Sequence, residues 1–286
     1  MVTGLCPVQP SAPSKELSSR AKRGICIGIV IPSEARDLHR AAELRITRLL
    51  GMEKSDELDM KAPARVTLLK TNFFNRDPRR VARALLGKLL IRKTPRGTLA
   101  GRVVETEAYL GQGDAAAHSA AGRTPRNSVL FGPPGHAYVY FIYGNHYCLN
   151  VSCLPDGVPG GVLFRALEPL AGIEQMAEAR GIVPAKESDL KKISLLKKIS
   201  SGPGRLSEAL EVTRQRDNGK SLVSARSDLQ IVDDAYRVRK VTVTTRIGIV
   251  KSAEQPLRYF IAGNPFVSGR IQGFRTRLSI NRVAPT

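Results

Sequence analysis

Glu105, Glu107 and Tyr109 alternate along the run from Arg102 to Gly111, and the two-residue period of a β-strand sends all three to one face. Two carboxylates beside a phenol suit general acid and base work on a bound substrate. A solvent-facing strand carries the same pattern, so the spacing alone leaves both readings open. The segment that follows, Gly111 to His118, is small and polar enough to bend back over the strand end and bring His118 toward the acids. Arg165 stands inside the apolar run Gly161 to Pro169. A guanidinium there needs an anion, and Glu107 is a candidate.

A second group of residues could touch a large ligand. Four of the seven tyrosines fall between Ala137 and Cys153, a stretch that reads as two strands joined through Gly144-Asn145. Alternation puts Tyr138 and Tyr140 on one face. Tyr138 and Phe141 read as sheet core, whereas Tyr143 falls at the turn, where a side chain can act as a wedge between stacked bases. The loop Gly122 to Asn127 carries Arg123 and Arg126 and suits phosphate contacts. Ser201-Gly202-Pro203-Gly204 leads into a helix, either as a plain structural start or as a place for a phosphate.

The elements that must position these groups belong to a chain of 286 residues with a formal charge of +20 and a sequence pI near 10.3. Such a charge points to nucleic acid before small neutral metabolites. Residues 1–66 hold 11 Lys/Arg and 8 Asp/Glu, so +17 belongs to the rest. We expect 1–66 to be a loosely attached or disordered extension, or an upstream start, and 67–286 to form the working domain. The apolar run Ile25 to Ile31 is too short to span a bilayer, so no membrane partner is expected. The four cysteines form no CxxC pair. Cys148 and Cys153 lie five apart on opposite strand faces, which disfavours a shared metal and suggests core roles in a reducing compartment.

Asp77, Pro78 and Gly87 mark the start and stop of a helix. Further helices are expected at 169–180 and 204–212, and strands at 101–108, 137–142, 147–153, 162–167, 241–250 and 257–261. The repeated KKIS at 191–200 reads as a solvated insertion. Strands without βαβ alternation favour an α+β domain with a largely antiparallel sheet.

Six ordered segments, VVETEAYLG (103–111), HSAAGRTPRN (118–127), YVYFIYGNHYCLNVS (138–152), LFRALEPL (163–170), SGPGRL (201–206) and PLRYFIAGNPFVS (256–268), resemble the alkyladenine (3-methyladenine) DNA glycosylase family, the type without a helix-hairpin-helix. The resemblance implies a single domain with a curved, mainly antiparallel sheet flanked by helices, and a protruding β-hairpin that enters DNA. It implies a monofunctional enzyme with no cofactor and no metal, acting on double-stranded DNA that contains damaged purines. The reaction it implies is base flipping followed by hydrolysis of the N-glycosidic bond.

Carried over by position, the resemblance makes Glu107 the general base and Arg165 a holder of the attacking water, with the Ile247 carbonyl as a third contact to that water. Tyr109, His118 and Tyr140 match pocket walls, and Asn150 a residue that limits which purines enter. Tyr143 matches the intercalating residue and Arg123 a backbone contact. The expected setting is a monomer in the cytoplasm, at the nucleoid if the source is prokaryotic. A non-catalytic nucleic-acid binder on the same fold is the alternative from another class, and an RNA-directed relative a third. Residues 1–66 match nothing in the family, and Gly144 to His146 replace bulkier neighbours of the wedge.

Overall fold

The computed structural model describes residues 66–142 and 144–269. The expectations for the extension at 1–65 and for Tyr143 therefore lie outside the described residues. Among the described residues, nine strands form one curled antiparallel sheet: β1 (Thr67–Leu68), β2 (Leu89–Thr94), β3 (Gly97–Tyr109), β4 (Ala137–Ile142), β5 (His146–Ser152), β6 (Gly161–Ala171), β7 (Leu229–Asp233), β8 (Val241–Thr244) and β9 (Arg258–Ile261). The order is β1-β7-β2-β3-β6-β5-β4, and β9 joins β3 and β8. On one edge of β3 the first half pairs with β2 and the second half with β9, while β6 runs along the other edge. Register shifts at Ala100/Gly101 and around Glu105 bend β3 where the two partners change over, as bulges do.

Six helices pack on this sheet: α1 (Thr71–Phe74), α2 (Pro78–Leu85), α3 (Ile173–Ala179), α4 (Ile193–Ser200), α5 (Pro203–Ala209) and α6 (Arg214–Asp217). In α2, the Asp77 carboxylate accepts the Arg79 amide at 2.8 Å, and Val81, Ala82 and Leu85 enter the core. The capping residue and the apolar spacing together make this helix readable from sequence.

Three expectations need correction. The helix placed at 169–180 begins only at Ile173, because β6 continues through Glu168, Pro169 and Leu170. Pro169 lies opposite Gly101, at the register shift, where a missing amide hydrogen is tolerated, and Gly172 at φ 68° then turns the chain. The strand placed at 241–250 stops at Thr244, and a loop follows. The KKIS segment is not a solvated loop: from Ile193 to Ser200 it forms α4, with Leu196 and Ile199 fully buried, and only Lys191 and Lys192 precede the helix. Strands β2 and β7, which the sequence reading did not place, lack alternation. Leu89, Leu90, Ile91 and Arg92 are all buried, as are Leu229 to Val232, since both faces of the sheet are covered at these strands.

Candidate active site

The register of the sheet assembles the site. Tyr138 lies opposite Asn150, Asn150 opposite Leu163, Leu163 opposite Glu107, and Glu107 opposite Arg258. Residues directly opposite in an antiparallel sheet share a face, so this row places Tyr138, Asn150 and Glu107 on one side. Two residues further along each strand, Tyr140, Cys148, Arg165 and Glu105 stand on that same side. Five strands drawn from distant parts of the chain thus contribute to one surface.

Glu107 is fully buried. Its Oε1 lies 3.2 Å from Arg165 Nη1 and accepts the Ile247 amide at 2.8 Å; its Oε2 accepts the Tyr109 hydroxyl at 3.1 Å. Burial raises the carboxyl above its ordinary pKa; Arg165, the Ile247 amide and the Tyr109 hydroxyl oppose the rise without cancelling it, and Glu105 adds to it. The group is a stronger base than a surface carboxylate when ionised. With no accessible surface, Glu107 meets a water only after a neighbouring group gives way.

Glu105 has a different task. Its Oε1 accepts Arg165 Nε at 3.1 Å and Arg258 Nε at 2.6 Å, and its Oε2 accepts the Ser268 amide at 2.6 Å. Every oxygen is occupied by donors that it holds in place. Arg165 therefore bridges the two acids. Burial works against its charge, but Glu107 and then Glu105 outweigh that and raise its pKa.

Beside the acids lies a cleft of about 460 Å³, lined among others by Tyr109, Tyr140, Cys148, Arg165, Arg205 and Ile247. Tyr109 and Tyr140 also border a recess formed by His118, Tyr138, Leu130 and Asn150. His118 stands at the exposed rim of that recess with its ring 4.4 Å from Tyr140 in an edge-on arrangement, and its Nδ1 lies 2.9 Å from the Tyr138 hydroxyl. Desolvation by these neighbours, helped by Arg126, lowers its pKa, so the imidazole is neutral at physiological pH. Asn150 donates to the Tyr138 carbonyl at 3.3 Å. A larger cleft of about 570 Å³, around Arg96, His146 and Arg216, contains none of these groups.

The structure thus brings together Glu107, Arg165, Ile247, Tyr109, His118, Tyr140 and Asn150. Arg123 is exposed on its loop, away from the acids' contacts. Ile247 meets Glu107 through its amide N–H, whereas the sequence reading drew attention to its carbonyl. Tyr138 is buried core as expected, yet it also orients His118. Phe141 is not core: it is 45% exposed and leans on Tyr147, 5.0 Å between ring centroids. Cys148 faces the cleft and Cys153 the interior, both as buried free thiols. Among the described residues no three His, Cys, Asp or Glu side chains converge as metal ligands, and no helix is long and apolar enough to cross a membrane.

Four contributing residues were missed in the sequence. Asn127 ties the 118–127 loop together through the carbonyls of His118 and Gly122, at 2.9 and 3.0 Å. Asp114 and Arg246, 132 residues apart, form a fully buried ion pair. Only the apolar surroundings of Arg246 hinted at this, as they did for Arg165. Gly111 was read merely as small: at φ 87°, a side chain there would meet the Pro159 carbonyl at 2.1 Å, so glycine alone permits the bend that carries His118 back.

Comparison with known proteins places the chain in a family. Residues 72–265 match the family model described as methylpurine-DNA glycosylase (MPG). A protein of Koribacter versatilis, provisionally named a 3-methyladenine DNA glycosylase, is 64% identical over 72% of this chain and 96% of its own length. A Burkholderia cenocepacia protein with the same provisional name is 44% identical over 73% and 95%, and one from Methanocella arvoryzae 43% over 72% and 98%. The chain belongs to the methylpurine-DNA glycosylase family.

Proposed function

We propose that this protein flips alkylated or deaminated purines, of the 3-methyladenine, 7-methylguanine, hypoxanthine and ethenoadenine class, out of double-stranded DNA and hydrolyses the N-glycosidic bond, leaving an abasic site. The observation that carries the reading is Glu107, a buried carboxylate braced by Arg165, beside a cleft walled by Tyr109 and Tyr140, which also border the recess that holds His118. A base inside a duplex cannot present its glycosidic bond, so extrusion comes first at a cost of about a few kcal/mol, least for damaged pairs.

Purines alkylated at N3 or N7 are cationic, and aromatic walls favour them by about 0.5–2 kcal/mol through cation–π attraction. The same charge improves the leaving group. As the bond breaks, the sugar gains oxocarbenium character. Ionised Glu107 stabilises that charge and takes a proton from the attacking water, which Arg165 and the Ile247 peptide help to hold; attack on the opposite face inverts the anomeric carbon. A Tyr138 hydroxyl donating to His118 Nδ1 leaves Nε2 protonated, a donor toward the base. In this reading Tyr143 is the wedge that fills the vacated stack, Arg123 contacts a phosphate, and Asn150 limits which purines enter. The enzyme works as a monomer without a cofactor, in the cytoplasm, and at the nucleoid if the source is prokaryotic.

Glu107→Gln tests this. Single-turnover release of 3-methyladenine or 7-methylguanine from duplex oligonucleotides should fall by at least about 100-fold, the order of a general base, with lesion binding retained. Release near the wild-type rate refutes the assignment. If the wild-type protein releases no base but retains lesion binding, it is a binding protein on this fold.

A further inference from the structure

The buried pair Asp114–Arg246 lines neither the cleft nor the recess, and the reaction as described uses neither side chain. Two buried charges far apart in sequence are costly to keep unless their geometry does something. Arg246 Nη2 lies 2.8 Å from Asp114 Oδ1 and 3.3 Å from the Ser252 carbonyl, and Nη1 donates to the Ala108 carbonyl at 3.1 Å. Asp114 in turn accepts the amides of Leu110 and Ala116 at 3.2 and 3.1 Å. The guanidinium also lies 4.7 Å from the Tyr109 ring centroid. One ion pair therefore fastens the 110–118 loop, which carries His118, to the 245–252 loop, whose Ile247 amide reaches Glu107. It also fixes Tyr109, whose hydroxyl is the other donor to that carboxylate.

We infer that Asp114 and Arg246 are positioning residues for base excision: a buried clamp that holds the Ile247 amide and the Tyr109 hydroxyl on Glu107 and keeps both cleft edges in register. This rests on the function proposed above. Without the clamp the loop after β8 has little else to fix it, since Ile247 and Val250 are 36% and 94% exposed and Gly248 has nothing within 4 Å of its would-be side chain. The groups facing Glu107 are Glu105 and Tyr109 on its own strand, Arg165 on β6, Cys148 on β5 and Arg246 on the loop, with Arg258 on β9 acting through Glu105. Of these contacts, the Tyr109 hydroxyl and the neighbouring Ile247 amide depend on the clamp, and both favour the ionised carboxylate. Loosening them makes Glu107 harder to ionise.

The test is Asp114→Asn, Arg246→Gln, the double variant, and Arg246→Lys as a form that keeps a buried cation if the Gln form does not fold. Single-turnover base release is measured across pH, beside binding of a duplex carrying an abasic-site analogue. A misplacement of about 1 Å can cost about 100-fold, so a fall of roughly 10- to 100-fold is expected. The acid limb of the pH–rate profile should move to higher pH, binding should change by less than about threefold, and the double variant should be no worse than the worse single one. Wild-type rates, or an equal loss at every pH that tracks a fall in Tm, overturn the clamp. Glu107→Gln run in parallel separates the two failures: if it is inactive while the clamp variants behave as wild type, only the clamp falls.

Discussion

Removing the guanidinium from Glu107 while leaving Glu105 satisfied tests the electrostatics of the site most directly, and Arg165→Gln does this. Glu105 keeps Arg258 at 2.6 Å and the Ser268 amide at 2.6 Å, so the missing charge is felt at Glu107. At the observed 3.2 Å, Coulomb's law with an effective dielectric constant near 20 gives about 5 kcal/mol, equivalent to roughly 4 pKa units. The glutamine amide and any water entering the space return part of this, and the Glu107 pKa is still expected to rise. Burial already holds the carboxyl above its ordinary pKa, and loss of the guanidinium moves it further in the same direction. A base must be ionised to act, so activity climbs with pH through the Glu107 pKa and is lost below it. Each unit by which that pKa passes the assay pH costs a factor of about 10.

Single-turnover release of 7-methylguanine between pH 5 and 10 measures the effect. The variant should show its acid limb displaced upward and a lowered alkaline plateau, because the contact that holds water is also gone. Its stability should fall by about 3–5 kcal/mol at neutral pH, the usual result of breaking a buried pair, and by less in acid, where Glu107 is protonated and needs no partner. A profile superimposable on wild type, or a stability loss that grows in acid, refutes the reasoning.

Two further substitutions address other parts of the argument. Tyr138→Phe removes the hydroxyl 2.9 Å from His118 Nδ1; a loss of about 0.5–1.5 kcal/mol should slow base release up to roughly 10-fold with little change in Tm, and unchanged rates across a lesion panel would separate that contact from catalysis. Leu196→Ala empties a fully buried site in α4 and should cost about 2–5 kcal/mol in urea unfolding; a loss below about 0.5 kcal/mol would mean that this segment is the solvated insertion its sequence suggests.

Residue types and short-range spacing carried much of this site. The two-residue period placed Glu105, Glu107 and Tyr109 together, an isolated arginine in an apolar run called for an anion, and Asp77, Pro78 and Gly87 bounded α2, because each signal lies within one element and depends on local geometry. Ordered similarity supplied the family. Tertiary structure decided which partners each acid takes. Glu105 and Glu107 are alike in sequence, and they differ only because β9 and the Ser268 amide reach one while Tyr109 and the Ile247 amide reach the other. Likewise, α4 looked polar until its Leu196 and Ile199 met the core, and the Asp114–Arg246 pair spans 132 residues. A burial cost and its compensating partner are properties of the packed chain, so local sequence can pose the need for a partner but only the fold selects it.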